Sequence, residues 1–119
     1  MIDREKFESN FVYYGKEVIV QIIDIFLDEF DGRMANLSKN VSERDFNNIK
    51  FNAHSLKGTI ANFMDPESIA LARKLEEMAM NMQVKELDEV MSNLLLASGS
   101  LVMELLEYRR VLSTWFHLE

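Results

Sequence analysis

Apolar residues return every three or four positions along most of the chain, the spacing of one face of an α-helix rather than the strict alternation of a strand. From about Lys16 to Asn40, Ile19, Ile22, Ile23, Phe26, Phe30, Met34 and Leu37 share one stripe, which predicts a long amphipathic helix that tolerates Gly32. Phe46, Ile49, Ala53, Leu56, Ile60 and Phe63 then advance by alternating steps of three and four, the seam of a helix packed in a bundle. The start of this helix is assigned to Ser42-Glu43-Arg44-Asp45, read as a variant capping box in which Ser42 accepts from the first turn and Asp45 complements the positive helix end. Asp65-Pro66 ends that helix and opens the next, with Asp65 as N-cap and Pro66 in the first turn, where its missing N–H does no harm. Ile69, Ala72, Leu75, Ala79 and Met82 form the next seam. The last runs through Leu87, Met91, Leu94, Ser98, Leu101, Leu105, Tyr108 and Leu112, crossing Ser98-Gly99-Ser100, which either permits a close helix approach or bends the helix. Ahead of these, Asp3 as a cap with Phe7, Phe11 and Tyr14 at helical spacing predicts a short helix ending at Gly15.

A single proline, four glycines and the lack of alternating segments make the expected class all-α. Four long amphipathic helices on short connections bury their stripes best as an antiparallel up-down four-helix bundle, with the short additional N-terminal helix lying across it. With 119 residues, the whole of 1–119 is expected to form a single domain. The eight methionines are read as core filler, and Trp115-Phe116-His117 as a tail packing on the bundle.

Charge and composition narrow the function. Thirteen basic against 20 acidic residues, a net charge of −7, disfavour a surface that must neutralise phosphates or an anionic membrane. There is no cysteine for a disulfide, a thiol nucleophile or a thiolate metal site. No run approaches the roughly 18 uninterrupted apolar residues of a membrane span, and MIDREKFESN is too charged for a signal peptide. A soluble, cytoplasmic monomer without nucleic-acid or membrane partners is expected.

The candidate chemistry lies in NAHSLKGT, residues 52–59. At about 3.6 residues per turn, His54 points roughly 130° from the centre of its seam, so it should face water. Asn47, Phe51 and Gly58 fall in the same outward sector, with Lys50 and Lys57 on one edge and Ala61 below. Phe51 points almost opposite the core, and an exposed aromatic beside an imidazole and a bare glycine suits a docking surface. Taken singly, each of these residues is ordinary surface. Together they meet the needs of histidine phosphorylation. An imidazole, with an ordinary pKa near about 6.5, is largely neutral at pH 7 and can attack phosphorus. A lysine one turn on offers positive charge to phosphoryl oxygens. A glycine four residues on removes the side chain that would obstruct an approaching protein.

Ala53-His54-Ser55-Leu56-Lys57-Gly58 resembles the AH-x-LKG signature of histidine phosphotransfer (HPt) domains, the helical-bundle carriers of phosphorelays. The likeness continues through Ala61-Asn62-Phe63 and the later Leu75-Glu76 and covers essentially the whole chain in helix order. It implies that His54 is the phospho-accepting residue, Lys57 its electrostatic support and Gly58 the clearance for a partner. By the same likeness the partners are response-regulator receiver domains or hybrid histidine kinases. The protein would be a phosphoryl carrier rather than an enzyme, with no cofactor of its own, the divalent metal residing on the receiver. The turn at Met64-Asp65-Pro66 departs from the small residues common in the family, and no glutamine or arginine on the following helix is matched to the phosphoryl group. The rival reading is a helical adaptor that binds a partner through Phe51 without phosphoryl transfer; it leaves His54 and Lys57 without a purpose. No HExxH, EF-hand loop or Gly-rich phosphate cradle supports a metalloenzyme or a kinase.

Overall fold

In the computed structural model, which describes the backbone of residues 1–118 and the side chains of residues 1–113, five helices follow in order. They are α1 (Arg4–Phe11), α2 (Lys16–Ser42), α3 (Phe46–Ala61), α4 (Pro66–Met80) and α5 (Leu87–Leu118). The side chains of Trp115, Phe116 and His117 lie outside the described residues. Among the described residues there is no strand, as the periodicity required. Helices α2 to α5 form the bundle: α2 packs on α3 and α5, and α4 packs on α3 and α5. This closed circuit sets α3 diagonally across from α5.

The stripes converge on one core. Ile23, Leu37, Ile49, Leu56, Ile60, Leu75, Leu94, Leu101 and Leu105 are fully buried, each contributing about 1.5–3 kcal/mol by leaving water. Phe63, two residues past the end of α3, completes that seam from the connection and is buried too. Phe7 and Phe11 of α1 are buried over the end of the bundle, where the Phe7 ring lies 4.8 Å from Tyr108 and 6.3 Å from Phe63. Asp3 caps α1 by accepting from the Lys6 N–H at 3.2 Å, while its own N–H donates to the Met64 carbonyl at 2.7 Å. The short helix is thus fastened to the α3–α4 turn.

Several expectations change in detail. Ser42 is the last residue of α2 and caps nothing; the cap of α3 is Asp45, which accepts from the Asn48 N–H at 3.3 Å. The reason is that α2 runs two residues past Asn40 and ends in a Schellman turn. There the Asp45 N–H reaches the Asn40 carbonyl at 2.9 Å and Arg44 takes a left-handed φ of 56°. Met82 leaves the α4 seam for the same reason: it occupies the left-handed position after that helix, with φ 52°, and is exposed. Tyr14 is exposed in the α1–α2 turn. Met34, Met78 and Met91 are buried and Met64 packs against the core, whereas Met1, Met80, Met82 and Met103 face solvent, so filling the core explains half of the methionines. A Cβ at Gly99 would meet nothing within 4 Å, so no close approach inside the molecule uses that glycine. α5 continues through it. By length and composition alone α5 is apolar enough to cross a membrane, and its inner stripe is occupied by the bundle core.

Candidate functional site

The rotation of α3 about its own axis is set on two sides. Its seam, Ile49, Ala53, Leu56 and Ile60, is buried against the bundle. From α2, Arg33 Nη1 donates to Ser55 Oγ at 2.9 Å, and Asn52 Nδ2 donates to Asn40 Oδ1 at 2.6 Å. With these contacts in place the remaining arc of α3 faces water, and His54 stands on it with its side chain 69% exposed. Phe51 is likewise exposed, as are Asn47, Lys50 and Gly58, while Ala61 is half-buried at the C-terminal end of the face. A side chain at position 58 would project into open space.

α4 supplies the residue whose role the sequence did not disclose. Glu76 Oε1 lies 2.8 Å from His54 Nδ1, and Glu76 Oε2 accepts from Lys57 Nζ at 2.7 Å. Its carboxylate is largely shielded from solvent, at 16% side-chain exposure. The hydrogen bond from Lys57 is the strongest influence holding the Glu76 carboxyl below its ordinary pKa; partial burial opposes it and the bond with His54 reinforces it. Glu76 is therefore ionised at neutral pH and can only accept hydrogen bonds. It follows that His54 Nδ1 carries a proton and donates, which leaves the lone pair of the neutral ring on Nε2, pointing away from α4 into solvent. Lys57, half-buried, is one turn from the imidazole and held by the same carboxylate. One acidic side chain thus sets the histidine tautomer and the lysine position together.

Glu76 sits one position past Leu75, a seam residue, so it flanks the α3–α4 contact rather than pointing into it. That offset is readable in the sequence; which neighbouring helix it flanks is not. A shallow recess of about 350 Å³ lined by Asn47, Lys50, Met80 and Met82 continues the exposed face toward the end of α4. A larger recess of about 650 Å³ between α1 and α5, lined by residues such as Arg4, Glu8 and Tyr108, includes no member of the His54 cluster. Among the described residues no three His, Asp or Glu side chains are grouped to hold a metal.

The His54 imidazole stands on an open helix face, 69% exposed and accessible to another macromolecule. The chain belongs to the Hpt domain family, whose model matches residues 21–109, from within α2 to near the end of the bundle. That membership places it in phosphorelay histidine phosphotransfer and implies receiver domains or histidine kinases as partners. No curated protein and no solved structure gives a significant match to the chain.

Proposed function

We propose that His54 is the phosphoryl carrier and that Nε2 is its reacting atom. The lone pair of Nε2 attacks the phosphorus of a receiver's aspartyl phosphate. The N–P bond forms as the acyl P–O bond breaks, and the aspartate departs as a carboxylate. The ring keeps its Nδ1 proton and gains positive charge, which the Glu76 carboxylate offsets at 2.8 Å. Lys57 lies close enough along the helix to offset the phosphoryl oxygens as well. The return step is the reverse, onto a second aspartate. Phe51, Gly58, Asn47 and Ala61 form the docking face, and the divalent cation needed by the acyl phosphate belongs to the receiver.

The observation that carries this reading is an exposed imidazole whose Nδ1 is held at 2.8 Å by the largely shielded Glu76 carboxylate. It is tested by incubating the protein with phosphorylated receiver domains and looking for acid-labile, base-stable phosphate on it. His54→Gln should abolish labelling and leave the melting midpoint nearly unchanged, as a surface substitution does. Persistent labelling of that variant would remove His54 from its role. Receiver binding without any label on the parent protein would favour the adaptor that uses Phe51 alone.

A further inference from the structure

The outer face of α5 has features that neither the core nor the His54 site uses. From Val90 to Met103 the sequence runs for fourteen residues without a charge, in a protein whose net charge is −7. Opposite the buried stripe of this helix stand Leu96 and Met103, 74% and 67% exposed. Between them lies Gly99, whose missing side chain serves no contact within the molecule although glycine inside a helix costs about 1 kcal/mol relative to alanine. The chain therefore turns an uncharged strip toward solvent, apolar at Leu96 and Met103, with the small residues Ser92, Gly99 and Ser100 beside them. Exposed charges close the strip on the same side of the helix: Glu89 before it, and after it Glu107 with Arg110, whose guanidinium donates to the Glu107 carboxylate at 3.0 and 2.6 Å.

We infer that this face pairs with a second copy of the chain, α5 against α5, antiparallel about a two-fold axis between Gly99 and Ser100. The choice of a second copy follows from charge complementarity. A two-fold axis at that point sets Leu96 of each copy against Met103 of the other and sets Glu89 of each against Arg110 of the other. The strip thus satisfies itself at both ends. The strip has no charge in its centre, and Arg110 is the basic group within reach of the partner copy's Glu89 at its edge. The absent side chain at Gly99 lets the two helix backbones approach at the crossing. Because α3 lies diagonally across the bundle from α5, both His54 faces remain open in the pair. The inference departs from the expected monomer and stands independently of the role given to His54.

Sedimentation equilibrium of the protein over about 1 μM to 1 mM tests it. The mass should rise from the 13.9 kDa of one chain toward twice that value. Leu96→Glu combined with Met103→Glu should be monomeric throughout with an unchanged helical circular dichroism spectrum. Glu89→Arg and Arg110→Glu should each weaken the dimer several-fold, and the two together should recover it. A parent protein that stays monomeric overturns the inference, and so does a dimer that survives Leu96→Glu with Met103→Glu. Charge reversals without effect, or without mutual rescue, overturn the antiparallel register. A monomeric parent that cosediments with phosphatidylcholine vesicles, and loses this with the same apolar replacements, assigns the strip to a lipid surface instead.

Discussion

Glu76 holds His54 Nδ1 and Lys57 Nζ with its two oxygens, so its charge state reaches both. Its folded pKa is lowered, first by the Lys57 hydrogen bond, from the ordinary value of 4.5. Its contribution to stability is therefore complete above that ordinary value and is lost as pH falls through the lower folded one. Urea unfolding of the parent and of Glu76→Gln between pH 6 and pH 3 should show the parent's advantage shrinking across that acidic window. The same substitution should slow phosphotransfer about ten-fold at neutral pH, because an amide offers one acceptor oxygen where the carboxylate offers two, and carries no charge against the phosphorylated ring. At Gly58 two effects separate. Alanine there has open space and should raise stability by up to about 1 kcal/mol through helix propensity. Glutamine should also fold, yet should slow transfer from a receiver far more than any change in melting midpoint accounts for. Equal transfer rates for parent and Gly58→Gln would show that clearance is not its role. His54, Lys57 and Gly58 were legible because all three sit on one helix, where spacing alone fixes their relative positions. Glu76 was legible only as half of a Leu-Glu pair, since a contact across 22 residues leaves no periodic trace.

At the scale of elements, the seams were readable and the ends were not. Asp65 was found as a cap because a proline follows it; it is buried, and accepts from Ser68 Oγ at 2.6 Å. Ser42 reads as a cap because a serine followed by acidic residues looks the same whether it starts a helix or finishes one. The left-handed residues that terminate α2 and α4 are Arg44 and Met82, neither of which signals a turn as glycine does. Met82 holds φ 52° with an exposed side chain, while the Gln83 N–H closes the turn onto the Met78 carbonyl at 2.9 Å. Met82→Gly should raise unfolding free energy by about 0.5–1 kcal/mol, since the strain of a left-handed side chain exceeds the extra entropy of glycine. A thermal melt checks it, and a lowered midpoint would mean that the methionine packs in solution. Arg44 differs in using its place: both guanidinium arms bind Asp88, at 2.8 and 2.9 Å, tying the α2–α3 corner to the first turn of α5.

The whole molecule hangs on a core to which all four long helices contribute, so its stability should be lost as a unit. Leu105→Ala, at a fully buried position on α5, should cost about 2–5 kcal/mol in urea unfolding and still give one transition by circular dichroism and by hydrodynamic radius. Two separated transitions would mean that α5 melts independently of α2 to α4. By itself the sequence determined the helical class, the stripes that face the core, the outward direction of His54 and its neighbours, and the Asp65 cap, because each is a local periodic or stereochemical property of consecutive residues. The closed circuit of helices, and with it the position of α4 beside α3, was decided only in three dimensions. That placement brings Glu76 to the imidazole, assigns the free lone pair to Nε2 and turns the uncharged strip of α5 away from the site. Such facts depend on which amphipathic faces meet, and helices with interchangeable apolar stripes do not encode their neighbours in their spacing.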